Sequence, residues 1–144
     1  MYVSQVLMAS LPNFELVSFL IIITARKFGI KSLASTYIFV FLEVIVYGFE
    51  IWVICYLYVW AILVLFICLL RKIDSWILYT LVSGIFGFLF GILCSVPYFI
   101  TGGFGFGVSW IVSGISFDLL HGFGNLILTF LLYKPLTIAL DKAI

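Results

Sequence analysis

The stretch 51–70 contains no charged residue and is long enough to cross a lipid bilayer as one helix. A transmembrane helix needs about 20 predominantly apolar residues, because the hydrocarbon core is about 30 Å thick. A membrane-spanning strand would instead alternate apolar and polar side chains. The pattern therefore predicts an α-helical membrane protein and disfavours a β-barrel.

The composition indicates the same class. Hydrophobic residues make up 66% of the 144-residue chain and charged residues only 9%, whereas a soluble domain is roughly half apolar and a quarter charged. A net charge of +1 argues against nucleic-acid binding, which needs a basic surface. The spacing of Cys55, Cys68 and Cys94 fits neither a disulfide framework nor a metal site. We expect one membrane domain over residues 1–144, with no metal and no cofactor.

The order of apolar stretches predicts an all-α bundle with a partial N-terminal helix and then five full spans. The partial helix covers 2–11, about half a span, and Pro12-Asn13 breaks it. We expect an incomplete first span, with the rest encoded upstream of Met1; the alternative is a true half-helix. The predicted full spans are 14–25, 32–49, 51–70, 75–100 and 110–133.

Charge asymmetry predicts the orientation. If the spans alternate, all seven basic residues fall on one side: Arg26, Lys27, Lys31, Arg71, Lys72, Lys134 and Lys142. The positive-inside rule predicts that this side is cytoplasmic in a multi-pass protein of the cell membrane. The glycine-rich stretch 102–107 would then be an external loop, which could act as a lid or be a plain turn.

Small residues recur every fourth position at Ser83, Gly87, Gly91 and Ser95. This spacing lets two helix backbones approach closely in lipid. It predicts an intramolecular packing groove; docking of a partner protein is the less favoured alternative.

Ionisable side chains inside a span are costly, so each needs a reason. Asp118, His121 and Asn125 are spaced i, i+3, i+7 and would share one helical stripe. They could contact a ligand or form a buried hydrogen-bonded network. A helix starting at Ser116 would place Asp118 in its first turn, where an anion is stabilised. Glu15 could likewise cap the helix that follows Asn13, or it could be functional.

An enzyme is not expected. The chain has no nucleophile elbow, P-loop or dinucleotide fingerprint. Ser113 or Ser116 with Asp118 and His121 supplies the residue types of a triad, but one helical stretch cannot easily wrap the base around its nucleophile. A small channel or proton-linked carrier that uses Glu43, Asp118 and His121 as a relay is the alternative to a binding protein.

The chain resembles the substrate-binding S components of energy-coupling factor (ECF) transporters, which import vitamins. The likeness rests on LPNFELVS at 11–18, FLEVIVYG at 41–48, YLYVW at 56–60 and GISFDLLHGFGN at 114–125. The resemblance implies a six-helix ligand-binding subunit that works with the transmembrane subunit EcfT and two cytoplasmic ATPases. Two features depart from the family: most of the first helix, which docks on EcfT, is missing, and Ser116 stands where relatives often have proline.

On this interpretation the ligand is a small, ring-containing nutrient held in the outer half of the bundle. Polar groups would orient it and aromatic rings would stack on it, although Trp60 could equally be core packing. Riboflavin, thiamine, folate, pantothenate, cobalamin precursors and modified nucleobases all remain open. The expected ligand contacts are Asp118, His121, Asn125, Glu43, Tyr47, Tyr56 and Trp60, with Asn13 and Glu15 at the outer mouth.

Overall fold

The computed structural model describes residues 1–7 and 15–143, and within these ranges it consists of helices and short connections without strands. A 3₁₀ turn at Gly29–Lys31 joins the second helix to the third. The helices are α1 (Tyr2–Leu7), α2 (Val17–Phe28), α3 (Ser32–Tyr47), α4 (Ile51–Leu70), α5 (Trp76–Cys94) and α6 (Val96–Ala143).

Four stretches of the described chain are long and apolar enough to cross a membrane. They are Val17–Tyr47, Ile51–Leu70, Trp76–Cys94 and Val96–Ala143. The predicted all-helical class and the presence of membrane-spanning helices are therefore confirmed. The bounds of α4 coincide with the predicted span.

The first of these stretches contains a reversal of the chain. The reversal occurs at Gly29, which has a positive φ of 62°. The helix α3 then lies antiparallel to α4, and the Tyr37 hydroxyl donates a hydrogen bond to the Leu57 carbonyl at 2.8 Å. The 12 residues of α2 are only about 18 Å long at 1.5 Å per residue. The span predicted at 14–25 thus differs from α2, which begins at Val17 and ends at Phe28.

The helices α5 and α6 form a long hairpin that turns at Gly103 (φ 75°, ψ −176°). The chain thus reverses within the predicted loop 102–107, but only Gly103 is non-helical and the residues on both sides of it are helical. Backbone groups in an apolar environment must be hydrogen-bonded within the chain, which favours helix even in glycine-rich sequence. For the same reason no helix begins at Ser116, and α6 continues past Pro135 instead of ending at 133.

Alanine at Gly103 is expected to lower the free energy of unfolding by about 1–3 kcal/mol, because its φ and ψ lie in a region open almost only to glycine. Alanine at Gly105 is the matched control. An added Cβ would meet no atom within 4 Å at either glycine, but only Gly103 has the positive φ. Unfolding by SDS in mixed micelles measures both variants, and equal effects would contradict the turn.

The groove of small residues on α5 holds α6 at close range. A Cβ on Gly87 would lie 2.8 Å from the backbone of Gly122. A Cβ on Gly91 would lie 2.3 Å from the Asp118 carboxylate, and the Thr129 hydroxyl donates to Ser83 Oγ over 2.8 Å. The predicted intramolecular packing groove is confirmed.

Candidate functional site

A buried pair of ionisable side chains joins the start of α2 to the middle of α6. Glu15 Oε1 lies 3.0 Å from His121 Nε2, and the two side chains are 17% and 7% exposed. The Glu15 carboxylate also accepts hydrogen bonds from the Val17 amide at 3.0 Å and the Ser18 hydroxyl at 2.7 Å. Glu15 therefore caps α2, where the helix dipole favours an anion, and contacts α6 as well.

Aromatic side chains from α3, α4 and α5 pack beside this pair. Trp60 lies at their centre and is 2% exposed. Its ring centroid is 5.4 Å from that of Tyr56 and 5.3 Å from that of Phe90. The Phe90 ring packs edge-on against the His121 ring, with 4.9 Å between the two ring centroids. We call Phe39, Tyr56, Trp60, Phe86 and Phe90 the aromatic cluster.

Several polar atoms around the aromatic cluster are buried and have no hydrogen-bond partner among the described residues. They are Trp60 Nε1, Glu43 Oε1 and Asn125 Oδ1. The other Glu43 oxygen accepts from Gln5 Nε2 on α1 at 3.0 Å. A buried polar atom left unpaired costs about 1–3 kcal/mol, so these atoms are suited to contact a bound molecule. Tyr133 Oη also has no partner in the described part of the chain, but it lies towards the other end of the hairpin.

The stripe on α6 is divided between two environments. His121 and Asn125 are buried, 6% and 1% exposed. The Asn125 amide donates to the Ser83 carbonyl at 3.3 Å. Asp118 is only half-buried, and its carboxylate accepts from the Gly91 amide at 2.9 Å. Asp118 thus contributes to helix packing, while His121 borders the aromatic cluster.

One residue expected at the site, Tyr47, is not brought to it. Tyr47 is 54% exposed at the end of α3, although Glu43, one turn earlier, is buried. Four residues advance a helix by about 40° more than one full turn, and beyond Tyr47 the chain leaves α3 at Gly48. Tyr47 therefore faces away from the bundle. Asn13 lies outside the described residues.

Other residues of the site were not anticipated from the sequence. Gln5 binds the Glu43 carboxylate, and Phe90 links Trp60 to His121. The sequence signal that could have identified Gln5 was a polar amide side chain within an otherwise apolar predicted helix. Phe86 and Phe90, one turn apart on α5, form an aromatic stripe like that of Tyr56 and Trp60 on α4.

The residue types of a catalytic triad do not assemble on α6. The Ser113 hydroxyl donates to the Trp110 carbonyl at 3.0 Å, and the histidine is paired with Glu15. Within residues 1–7 and 15–143, no group of three or more His, Cys, Asp or Glu residues could hold a metal ion.

The arrangement offers an indole donor, carboxylate and amide acceptors, and a histidine–carboxylate pair around aromatic faces. Such a combination is typical of sites for small organic molecules, in which apolar walls carry a few placed polar groups. No protein-family model, curated protein or solved structure matches this chain.

Proposed function

We propose that the protein is the substrate-binding membrane subunit of an ECF-type importer for a vitamin or a related small nutrient. The observation that supports this most is the set of atoms on Trp60, Glu43 and Asn125 that are buried without a hydrogen-bond partner among the described residues. Burying such groups in an apolar bundle is unfavourable unless another molecule completes their hydrogen bonds. A polar, ring-containing nutrient has the matching chemistry.

In this proposal the aromatic and polar residues divide the work of binding. The nutrient ring packs against Trp60 and Phe90, because aromatic faces stack favourably. A donor group on the nutrient binds Glu43 Oε1, and an acceptor binds Trp60 Nε1. The pair of Glu15 and His121 closes the side of the site next to α2 and α6.

The orientation and the partners follow from the same proposal. The end of the bundle that carries the basic residues faces the cytoplasm, as the positive-inside rule requires. The two ATPases act on that side through EcfT. The site around Trp60 then lies towards the outer half, from which the nutrient enters. The short helix α1 corresponds to part of the first helix of the family.

A proton-linked carrier is the alternative, and the contacts of its candidate relay residues favour binding instead. Glu43 bonds Gln5 and Asp118 bonds Gly91, so neither acid is hydrogen-bonded to His121. A relay needs groups that pass a proton directly or through water. Proton-driven flux in liposomes that contain this protein alone would support the carrier and contradict the binding subunit.

Mass spectrometry of molecules that copurify with the protein tests the proposal. The protein is purified in mild detergent, denatured, and the released small molecules are compared with those from a Trp60→Ala sample. We expect one nutrient-sized compound that is enriched in the wild-type sample, and ATPase subunits that coprecipitate from native membranes. If riboflavin, thiamine, folate and pantothenate also fail to bind and no ATPase coprecipitates, the proposal is wrong.

Glu43→Gln is expected to weaken binding of the recovered nutrient by about tenfold or more, because hydrogen bonds to charged groups contribute about 1.5–3 kcal/mol. Tyr47→Phe is the matched control on the same helix, and its exposed side chain predicts unchanged affinity. Isothermal titration in detergent measures both. A loss with Tyr47→Phe that equals the loss with Glu43→Gln would place the site elsewhere.

A further inference from the structure

The fold gathers all the lysine and arginine side chains at one end of the bundle. The seven basic residues lie at the end of α2 and in the 3₁₀ turn after it, in the connection between α4 and α5, and in the last turns of α6. Only two acids, Asp74 and Asp141, lie with them, and they pair with Arg26 and Lys27. The remaining acids are Glu15, Glu43, Glu50 and Asp118.

An open cleft of about 230 Å³ lies within this basic end, between α2, the start of the α4–α5 connection and the last turns of α6. Three cationic side chains and one carboxylate line it: Arg26, Lys27, Arg71 and Asp141. Ile23 and Leu140 supply apolar walls. The cleft is far from the aromatic cluster, and nothing in the proposed nutrient binding uses it.

The cations of the cleft differ in how they are held. The Arg26 guanidinium lies over the rings of Tyr79 and Tyr133, 5.3 and 5.7 Å from their centroids. These contacts fix its position. Its partner Asp74 has a side chain that is 91% exposed, so the pair is screened by water and weak.

Arg71 carries the charge that is most available to a ligand. It forms no ion pair with the described part of the chain. Its guanidinium lies against Gly29, where an added Cβ would come within 2.4 Å of Nη1. Because Gly29 has no side chain, the planar Arg71 guanidinium fits beside Arg26 and Lys27. A guanidinium fork matches two oxygens of a phosphate group at once.

We propose that this cleft binds the phosphate group of an anionic membrane lipid. The three cations outnumber the two carboxylates that pair with them, Asp74 and Asp141, so the cleft favours an anion. Basic pockets between transmembrane helices are suited to lipid head groups. Ile23 and Leu140 belong to stretches that are long and apolar enough to cross a membrane, and the walls that they form suit the start of an acyl chain. Soluble phosphate is also an anion, but it has no apolar part that could contact these walls.

Native mass spectrometry of the whole protein, titrated with phosphatidylglycerol or phosphatidylcholine in detergent, tests the proposal. We expect phosphatidylglycerol to bind preferentially. Arg71→Gln should weaken that binding about fivefold, the usual effect of one basic residue on an anionic lipid. Lys72→Gln is the matched control, because it removes the same charge from the neighbouring position, which does not line the cleft. It should change the affinity by less than about twofold.

Further outcomes decide the identity of the ligand. Arg71→Lys keeps the charge and removes the fork, and we expect affinity between that of the wild type and Arg71→Gln. Circular dichroism checks that each variant keeps its helices, and Arg71 is exposed. Equal binding of the two lipids, or equal losses in Arg71→Gln and Lys72→Gln, would overturn the proposal. Displacement of phosphatidylglycerol by inorganic phosphate at comparable concentration would show a site for soluble phosphate instead.

Discussion

Gly87→Leu is expected to lower the free energy of unfolding by about 3 kcal/mol or more, the upper end of the range for overpacked positions. The reason is that a Cβ at this position would lie 2.8 Å from Cα and N of Gly122 and 2.9 Å from the carbonyl carbon of His121. These are backbone atoms of α6, so they cannot turn aside as a flexible side chain can. The two arms of the α5–α6 hairpin would have to separate.

Gly114→Leu is the matched control for Gly87→Leu. Gly114 is also helical, but an added Cβ there meets no atom within 4 Å. We expect Gly114→Leu to raise the free energy of unfolding by less than about 1 kcal/mol, since leucine is a better helix former than glycine. Both variants are measured by SDS unfolding in mixed micelles. If both were equally stable, the close approach of α5 and α6 would be contradicted.

Loss of the pair between Glu15 and His121 is also expected to destabilise the bundle. Removing the histidine takes one hydrogen bond from the buried Glu15 carboxylate, and hydrogen bonds to charged groups contribute about 1.5–3 kcal/mol. Here the hydrogen bonds from Val17 and Ser18 to Glu15 remain after His121→Ala. We therefore expect His121→Ala to fall at the lower end of that range.

A double-mutant cycle separates the interaction energy between Glu15 and His121 from the effect of removing each side chain. Glu15→Gln, His121→Gln and the double variant should show a coupling of about 1–3 kcal/mol. Asp74→Asn is the control, because its ion pair with Arg26 is exposed and should contribute less than about 1 kcal/mol. Additive effects of Glu15→Gln and His121→Gln would contradict direct contact between α2 and α6.

Much of the fold could be predicted where the signal is local. An uninterrupted apolar run defines α4, and its bounds agree with the prediction. The spacing of Ser83, Gly87 and Gly91 predicted a close helix contact, because only small side chains allow backbones to touch in lipid. The helix periodicity of His121 and Asn125 correctly placed both on one buried face.

The rest depends on contacts that no local pattern contains. Glu15 and His121 are 106 positions apart, and only the packing of α2 on α6 brings them together. The stretch 102–107 was predicted as a loop between two spans, and the chain does reverse there, but through the single non-helical residue Gly103. Tyr47 was assigned to the face of Glu43 by periodicity, but α3 ends there and the side chain is exposed.

The fluorescence emission of Trp60 shows whether the nutrient binds at the aromatic cluster. A variant with phenylalanine at Trp52, Trp76 and Trp110 reports on Trp60 alone, and it is titrated with the nutrient recovered from the wild-type protein. We expect saturable quenching of the Trp60 emission, and we expect Glu43→Gln to shift it to higher nutrient concentration. Binding of the nutrient that leaves the Trp60 emission unchanged would contradict a site at the aromatic cluster.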